Sequence, residues 1–452
     1  MNTIQRDFAF VLGMQSDAVC LLLVPSDDGY GLFSLKSEPH FWQSCEYLER
    51  AVREQLGLTA YTLRCLLVEH GDDDPPARHC VYAMQWGGGS EPPGTRWLTR
   101  DQLADVPLAS AHDHAALFGW LTQMQSEPVY RPAWSRCGWR ESIYASLPDR
   151  LARHGLRLTA PPVAVRVWER GAVLRLPSDQ GNVYLKSVPP VFGHEPALTA
   201  WLSERFPGAV PDFLDIADGM LMRDYGGAAL FEQPDLALWE GGLRAYARLQ
   251  VALCGHLDAL RALAVPQRSL DWLRSELPSF FSDAAALRIG THPLMESEIE
   301  RLRLLLPRFM SACNLLAEGA VPLSLEHGDL WTGQIIARNG QFIISDWSDS
   351  AITHPFFSLP FFVAEIANEL PGVPDARERL TTAYLSEWTA FAALPELQAL
   401  MLAAATVSAV YTALRYHLDI LSAMENRWEM ANMLAYNLRL ALREVDQIDG
   451  EI

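Results

Sequence analysis

The chain has 452 residues, more than one ordinary hydrophobic core accommodates, so two or three domains are expected. Its composition, 49% hydrophobic and 20% charged, is that of a folded globular protein and excludes wholesale disorder. The net charge of −19 excludes a general nucleic-acid binder, because phosphate backbones require clustered Lys and Arg.

The first 125 residues alternate short β-type runs with turn clusters. The runs VCLLLVP, GLFSLK, YTLRCLLVEHG and RHCVYAMQW predict a small α/β domain built largely from hairpins over residues 1–125. One helix is predicted from Phe41 to Leu56, ending at Gly57, and a second over AALFGWLTQM after Ser110. The following residues, 126–160, are rich in Pro and Trp and are predicted to form a linker.

Strand-like runs return over residues 161–227, with VAVRVW, AVLRLP, NVYLKS and GMLMRDY around one helix, PALTAWLSERF. From 228 to 452 the periodicity is helical and is interrupted by a single hairpin near residue 340. The stretch from Leu397 to Leu414 has no charge, yet Ala dominates it and polar residues interrupt it, so we expect a buried helix and no membrane span.

The segment from Leu325 to Ser350, LEHGDLWTGQIIARNGQFIISDWSDS, contains two β runs that flank Asn339-Gly340. This dipeptide suits the positive φ angles of a two-residue type I′ turn, so a tight hairpin is predicted. If Arg338 pairs with Gln341, then Gln334 and Asp346 emerge together at the open end. Asp329 lies just before the first strand, within reach of the same end.

Two carboxylates and an amide at one place suit phosphoryl transfer. Such a reaction needs a group that orients the acceptor hydroxyl and hard oxygen ligands that hold Mg²⁺ on the nucleotide phosphates. We therefore take Asp329 as the candidate catalytic base and Gln334 and Asp346 as the candidate metal ligands.

The run HGDLWTGQ resembles the H-G-D-L-x-x-x-N catalytic loop of the aminoglycoside phosphotransferase and choline-kinase-like superfamily, and SDWSD and HPFFSL resemble the segments that follow it. Two residues depart from this pattern. Trp331 stands where many members have His, as in fructosamine-kinase-like sequences, and Gln334 replaces the usual Asn. The resemblance implies a bilobal protein-kinase-like domain that uses Mg²⁺ with ATP or GTP.

The same resemblance extends to the β-rich part of this domain. Lys186, near the end of a predicted strand, matches the lysine that binds the nucleotide phosphates, and Glu195 matches the glutamate that orients it. Because Pro196 follows, Glu195 is expected at the start of a helix. The segment LMRDYGG resembles the hinge that receives the base, with Met222, Arg223 and Asp224 as expected contacts.

The N-terminal domain resembles the Nudix family through RAVREQLGL and WLTRDQL. In that family the glutamates of the box helix bind the metal used for hydrolysis. Of the three principal box carboxylates only Glu54 is present, because Ala51 and Gln55 occupy the other two positions. The expectation is a degenerate Nudix-like domain without hydrolase activity, although a helix with a solvated charged face explains the same residues.

The fold class expected from the whole chain is α+β, a Nudix-like domain (1–125) and a linker (126–160) followed by a small β-rich lobe (161–227) and a helical lobe (228–452). The expected function is phosphorylation of a hydroxyl on a small molecule, whether aminoglycoside-like, a sugar, an amino alcohol or a nucleoside natural product. The alternatives are a nucleotide-binding pseudokinase and an active N-terminal hydrolase. Seven cysteines without a C-x-x-C pair and the lack of a secretory signal indicate a cytoplasmic protein.

Overall fold

A computed structural model of the protein describes residues 4–15, 18–26, 29–37, 41–71, 77–103 and 129–451. The fold is α+β, and the chain separates into two compact units. The first unit contains Met1–Pro189, Ala217–Leu221 and Met424–Asn426, and the second contains Pro190–Ile216, Met222–Ala423 and Arg427–Ile452. The finer division at residues 125, 160 and 227 stays a prediction.

A seven-stranded sheet organises the beginning of the first unit. Its main order is β3-β2-β1-β6-β5, with β4 paired to β1 and β7 paired to β2. β1 and β6 run parallel, whereas β5 and β6 are antiparallel. The strands are β1 (Ile4–Gln15), β2 (Ala18–Ser26), β3 (Gly29–Gly31), β4 (Phe33–Ser37), β5 (Leu58–Gly71), β6 (Ala77–Gly89) and β7 (Arg96–Thr99). The four predicted β runs are confirmed, and β1 is an additional strand.

Helix α1 (Glu46–Leu56) begins five residues later than predicted. Its start is displaced because the preceding backbone is engaged elsewhere: Ser44 forms a β-bridge with Arg166, and the Cys45 amide donates to the Val165 carbonyl at 3.3 Å. The predicted stop at Gly57 is confirmed, with φ of 67°. A short helix, α2 (Arg100–Leu103), follows β7, and the predicted helix AALFGWLTQM lies outside the described residues.

The predicted linker contains a helix, α3 (Trp139–Ala152). Its buried residues include Ile143, Leu147 and Leu151, which recur every four positions and so lie on one face of the helix. Three antiparallel strands follow it, β8 (Val163–Trp168), β9 (Gly171–Ser178) and β10 (Gly181–Ser187), as predicted. The separate segment Met424–Asn426 belongs to this unit, and its Glu425 pairs with Arg64 at 2.7 Å and with Arg131 at 2.9 Å.

The second unit is mostly helical and has one extensive apolar core. Its helices are α4 (Glu195–Arg205), α5 (Leu236–Leu253), α6 (Leu257–Ala262), α7 (Leu270–Ser282), α8 (Glu296–Glu318), α9 (Leu359–Ala364), α10 (Ile366–Glu369), α11 (Ala376–Leu385), α12 (Leu394–Arg415) and α13 (Asn432–Glu451). The helical character predicted for residues 228–452 is confirmed, as is the helix predicted over PALTAWLSERF.

Short strands accompany these helices. They are β11 (Phe213–Ile216), β12 (Met220–Arg223), β13 (Ala228–Ala229), β14 (Ser324–Glu326), β15 (Ile335–Arg338), β16 (Gln341–Ile344) and β17 (Ala351–Thr353). β12 lies in the predicted run GMLMRDY, β15 and β16 form the predicted hairpin, and the other four strands are additional. β14 pairs with β17, so the segments before and after the β15–β16 hairpin are held side by side. The pairing therefore joins the two ends of the segment that contains Asp329, Gln334 and Asp346.

The uncharged stretch predicted as a buried helix forms most of α12. The continuous helical segment Leu394–Ala423 is long and apolar enough to cross a membrane, but 78% of its most apolar window is buried inside the protein. α12 packs against α8 and α13, which explains its apolar surface as part of a protein core.

Candidate active site

The β15–β16 hairpin forms the base of the candidate site. Asn339 and Gly340 have φ angles of 49° and 78°, as a type I′ turn requires. Arg338 lies opposite Gln341, so the predicted register is confirmed. The turn therefore fixes which residues emerge at the open end of the hairpin.

At that open end the two candidate metal ligands are adjacent. The Ser345 amide donates to the Gln334 carbonyl at 2.9 Å, and the Ser345 hydroxyl donates to Gln334 Oε1 at 3.1 Å. Gln334 Nε2 lies 3.4 Å from Asp346 Oδ2. The prediction that Gln334 and Asp346 share this end is confirmed, while their roles stay predictions.

Asp346 has an unusual backbone conformation, with φ of 62°. Left-handed geometry costs free energy for a residue with a Cβ, and Asp and Asn tolerate it better than most. The Ser348 hydroxyl donates to Asp346 Oδ1 at 2.8 Å. Two residues after the end of β16, the Asp346 carboxylate is therefore anchored by Ser348.

His327 connects the loop that carries Asp329 to the segment that carries Asp346. Its Nδ1 accepts from the Asp329 amide at 3.3 Å, and its Nε2 lies 2.8 Å from the Ser345 carbonyl. Since Nδ1 accepts, Nε2 carries the proton and donates to that carbonyl. Because the imidazole is fully buried, it acts as a rigid spacer between the two segments.

Arg415, on the last turn of α12, fixes the same loop from the other side. Its Nη1 donates to the Gly328 carbonyl at 3.3 Å, and its Nη2 binds Asp349 Oδ1 at 3.0 Å, with both side chains buried. Gly328 has φ of 80°, and a Cβ there would lie 2.3 Å from the Asp349 carbonyl oxygen. Glycine is thus required where the loop passes this ion pair.

The carboxyl of Glu326, directly before His327, is fully buried. Burial raises its pKa from the ordinary 4.5 to about 7. Because the folded state holds this proton more tightly than the unfolded chain, the contribution of Glu326 to stability falls as pH rises from about 4.5 to 7 and is constant above that range.

The free energy of unfolding of the wild type should therefore fall by about 3 kcal/mol as Glu326 ionises. Glu326→Gln cannot ionise at this position and should lack that decrease. Urea unfolding of the wild type and of Glu326→Gln at pH 5 and pH 8 measures it: the stability of the wild type relative to the variant should decrease at the higher pH. The exposed Glu318→Gln serves as the control. A relative stability that does not change with pH contradicts the prediction.

Trp331 is partly exposed and stacks on Phe231, with ring centroids 5.7 Å apart and planes inclined by 19°. The ring also lies on Gly333, where a Cβ would approach it to 2.2 Å. Gly333 and Phe231 therefore hold the indole in place beside the loop that carries Asp329.

A cavity of about 260 Å³ opens beside Asp329 within the second unit; we name it the acceptor pocket after the role expected of Asp329. Asp329 is exposed and is one of the residues that line this space. Aromatic side chains, two further carboxylates and one guanidinium line it, and of these Asp349 and Arg415 pair with each other: Trp331, Phe361, Tyr416, Tyr436, Glu365, Asp349 and Arg415. The pocket can hold a small molecule against the carboxylate of Asp329.

The residues expected to bind nucleotide lie in both units. Lys186 is on β10 of the first unit, opposite Val173. Glu195 is the first residue of α4 in the second unit, which confirms that it begins a helix. Its neighbour His194 contacts the Ser350 hydroxyl at 3.3 Å, and burial lowers the pKa of that histidine to about 4.

Met222 and Arg223 are the last two residues of β12, and Asp224 follows the strand directly. The Arg223 amide donates to the Asp212 carbonyl at 2.9 Å, and Asp224 Oδ1 accepts from the Gly226 amide at 3.0 Å. The pairing of Lys186 with Glu195 and the contacts of this segment with a nucleotide stay predictions.

No protein-family model and no curated protein sequence matches the chain. Several solved structures are similar to the chain at low sequence identity. They include the macrolide 2′-phosphotransferase of Brachybacterium faecium (18% identity, 64% of this chain and 97% of that one, TM-score 0.45) and the choline kinase of Cryptosporidium parvum (11%, 69% and 97%, 0.47). A spectinomycin phosphotransferase in complex with ADP and spectinomycin also matches (10%, 64% and 92%, 0.38). At such values a shared activity does not follow from the similarity.

Proposed function

We propose that the protein is a phosphotransferase that moves the γ-phosphoryl group of ATP or GTP to a hydroxyl of a small molecule bound in the acceptor pocket. The observation that carries the proposal is the pair of bonds made by His327, to the Asp329 amide and to the Ser345 carbonyl. These bonds hold a candidate base and a candidate metal ligand in one rigid segment beside a cavity.

In this reaction the acceptor oxygen forms a bond to the γ-phosphorus while the bond from that phosphorus to the β-phosphate oxygen breaks. The hydroxyl proton passes to Asp329, and the nucleoside diphosphate leaves. Because the transition state is loose, the main tasks of Asp329 are to orient the hydroxyl and to accept its proton late. Lys186 would hold the phosphates, Glu195 would orient Lys186, and Met222 to Asp224 would receive the base.

The donor chemistry at the hairpin end fits Mg²⁺, which prefers carboxylate and amide oxygens and keeps other positions for phosphates and water. Asp346 and Gln334 would hold the ion, and bound Mg²⁺ would neutralise charge on the β- and γ-phosphates. Among the described residues no group of three or more His, Cys, Asp or Glu forms a metal cluster, so the proposed ion would depend on the nucleotide for further ligands.

Replacing Asp346 by asparagine tests the metal role without disturbing the backbone, because asparagine tolerates the left-handed conformation that Asp346 adopts. We expect the Mg²⁺ concentration for half-maximal activity to rise at least about tenfold, since the ion loses its only charged protein ligand. A Mg²⁺ titration of initial rates at saturating ATP measures this. An unchanged titration midpoint would remove Asp346 from the metal site.

The acceptor pocket favours an amine-bearing acceptor among the substrate classes that fit the reaction. Its aromatic walls can face a cation. The pKa of Glu365 is raised, mainly by burial and secondly by the negative charge of the nearby Glu369. A positively charged acceptor would relieve the repulsion between these two carboxyls. A volume of about 260 Å³ also suits an amino alcohol or a single amino sugar better than a multi-ring antibiotic.

Replacing Glu365 by glutamine should therefore raise the KM for an amino acceptor about three- to tenfold, since one partly exposed charge contact is lost. The kcat should change less, because Glu365 does not touch the transferred group. Steady-state kinetics with an amino alcohol and with its neutral alcohol analogue separate the two parameters. An equal rise of KM for both acceptors would assign the effect to pocket shape.

The activity itself can be tested by incubating the purified chain with MgATP and metabolite extracts and searching by mass spectrometry for products that gain a phosphate. A hit should depend on Asp329 and Mg²⁺. Transfer to no amine-bearing hydroxyl compound, with transfer to neutral sugars or nucleosides, would retain the reaction and overturn the acceptor class.

One contact favours a second candidate function, a nucleotide-binding pseudokinase. Gln334 Oε1 accepts from Ser345, and the amide nitrogen faces Asp346. Metal binding by Gln334 needs a half-turn of this amide, which would place its oxygen beside Asp346. Thermal shift with ATP, with and without Mg²⁺, together with turnover assays distinguishes the candidates: nucleotide binding that Mg²⁺ does not strengthen, without transfer to any acceptor, favours the pseudokinase.

The proposal for the N-terminal region is a Nudix-like binding domain without hydrolase activity. Glu54 is exposed on α1, whereas Glu49 on the same helix is buried and accepts from the Thr62 amide at 2.8 Å. Glu49 also pairs with Arg140 at 3.5 Å, so its carboxylate has a structural partner. We further propose a cytoplasmic protein that binds neither nucleic acid nor membrane.

A further inference from the structure

A second cavity, the distal cavity, lies in the helical part of the second unit. It has a volume of about 530 Å³, twice that of the acceptor pocket, and its walls are formed by α9, α11, α12 and α13. Every residue that lines it is described and belongs to the second unit. No step of the proposed reaction uses this space.

The distal cavity and the acceptor pocket both lie along helices α12 and α13. On α12, Leu402 and Ala405 line the distal cavity, and Thr412, seven residues after Ala405 and thus on the same face, lines the acceptor pocket. The short helix α9 lies between them, with Phe361 in the acceptor pocket and Val363 in the distal cavity. The two spaces are therefore separate compartments with a shared wall.

The floor of the distal cavity is apolar. Met401 and Val363 are buried among the core residues, whereas Leu402 is 52% exposed on the wall. An exposed leucine beside buried apolar groups, in a concave site of this volume, is the arrangement that a ligand with an apolar body covers.

The rim of the distal cavity carries a negative charge. Three carboxylates, Asp375, Glu378 and Glu444, and one cation, Arg377, are among its lining residues, so the lining has a formal charge of −2. Asp375 has φ of 57° at the position before α11, yet its side chain does not cap that helix. Its carboxylate is thus exposed among the lining residues and is not used to cap the helix.

We propose that the distal cavity is a binding site for an amphipathic cation, with an apolar body against Leu402 and Met401 and an ammonium group at the rim carboxylates. The apolar floor supplies most of the binding free energy and the rim charges select the sign of the ligand. The site is independent of phosphoryl transfer, because its residues are separate from Asp329, Gln334 and Asp346.

Three probes of nearly equal shape test the ligand class: 4-phenylbutylamine, 4-phenyl-1-butanol and 4-phenylbutyrate. Isothermal titration calorimetry on the full chain at low salt should give an affinity for the amine about tenfold higher than for the carboxylate, with the alcohol between them. Equal affinities for the amine and the carboxylate would overturn the charge assignment.

Three variants on α12 test in which cavity the amine binds. Ala405→Phe fills the distal cavity and should abolish amine binding, whereas Ala399→Phe adds the same ring at an exposed position outside it and should leave binding unchanged. Thr412→Phe fills the acceptor pocket instead and should also retain binding. Loss of binding in Thr412→Phe with retention in Ala405→Phe would place the amine in the acceptor pocket and overturn the proposal.

Circular dichroism and thermal unfolding of each variant confirm that it is folded before binding is compared. Because the measured quantity is amine binding, the distal site can be tested separately from phosphoryl transfer. Amine binding that persists in Asp329→Asn supports a distinct site even if no phosphotransfer is found, and absence of amine binding in an active wild-type enzyme overturns the distal site alone.

Discussion

Replacing Asp329 by asparagine should lower kcat for phosphoryl transfer by about 10²- to 10⁴-fold while the protein stays folded. The side chain is exposed beside the acceptor pocket, so the change removes a charge without opening a core cavity. The backbone amide of residue 329 can still donate to His327, which preserves the loop. Initial rates at saturating ATP and acceptor, with thermal unfolding as a check on folding, measure the effect.

The matched control is Asp258→Asn, which removes a carboxylate whose side chain is 99% exposed on α6 of the same unit. Its activity should equal that of the wild type. If Asp329→Asn retains full transfer, another group orients the hydroxyl and the assignment of the base is wrong. A large rise in KM with unchanged kcat would instead make Asp329 an acceptor-binding residue.

The sequence predicted the hairpin and the grouping at its open end because both are local. Asn339 and Gly340 determine the turn, the turn determines the register, and the period of two along each strand then places Gln334 beside Asp346. The helix start at Glu195 is local in the same sense, since Pro196 restricts the residue before it.

Other parts of the fold depend on contacts between distant residues and were not predictable in this way. The start of α1 is set by the pairing of Ser44 with Arg166, more than a hundred residues away. The strands β14 and β17 are three residues each, too short to show a period. Helix α3 was missed although Ile143, Leu147 and Leu151 have helical spacing.

The candidate site likewise contains residues that the sequence did not reveal. Arg415 binds Gly328 and Asp349, but it lies 66 positions from Asp349. A signal was present, because Arg415 is the first charge after the uncharged stretch that ends at Leu414. A lone arginine at the end of a buried helix needs a buried anion, and Asp349 in the SDWSDS segment supplies it.

The second large effect concerns this ion pair. Replacing Arg415 by methionine should lower the free energy of unfolding by about 3–5 kcal/mol, because Asp349 is left as a buried charge without its partner. Burial would lower the pKa of Arg415, but Tyr411, Asp349 and Glu326 together raise it, so the guanidinium is charged at every accessible pH. The variant also loses the bond to the Gly328 carbonyl, so transfer activity should fall with stability.

Urea unfolding of Arg415→Met, Asp349→Leu and the double variant measures the coupling between the two groups. The double variant should recover most of the lost stability, since two apolar side chains can replace a buried ion pair at little cost. The control is Arg248, whose side chain is 66% exposed and pairs with Glu387 at 2.9 Å; Arg248→Met should cost less than about 1 kcal/mol, because Glu387 keeps Arg244 at 3.6 Å. A recovered stability without recovered activity would show that Arg415 positions the Gly328 to Asp329 loop, whereas an equally small loss in Arg415→Met and Arg248→Met would mean that Asp349 is not a buried charge.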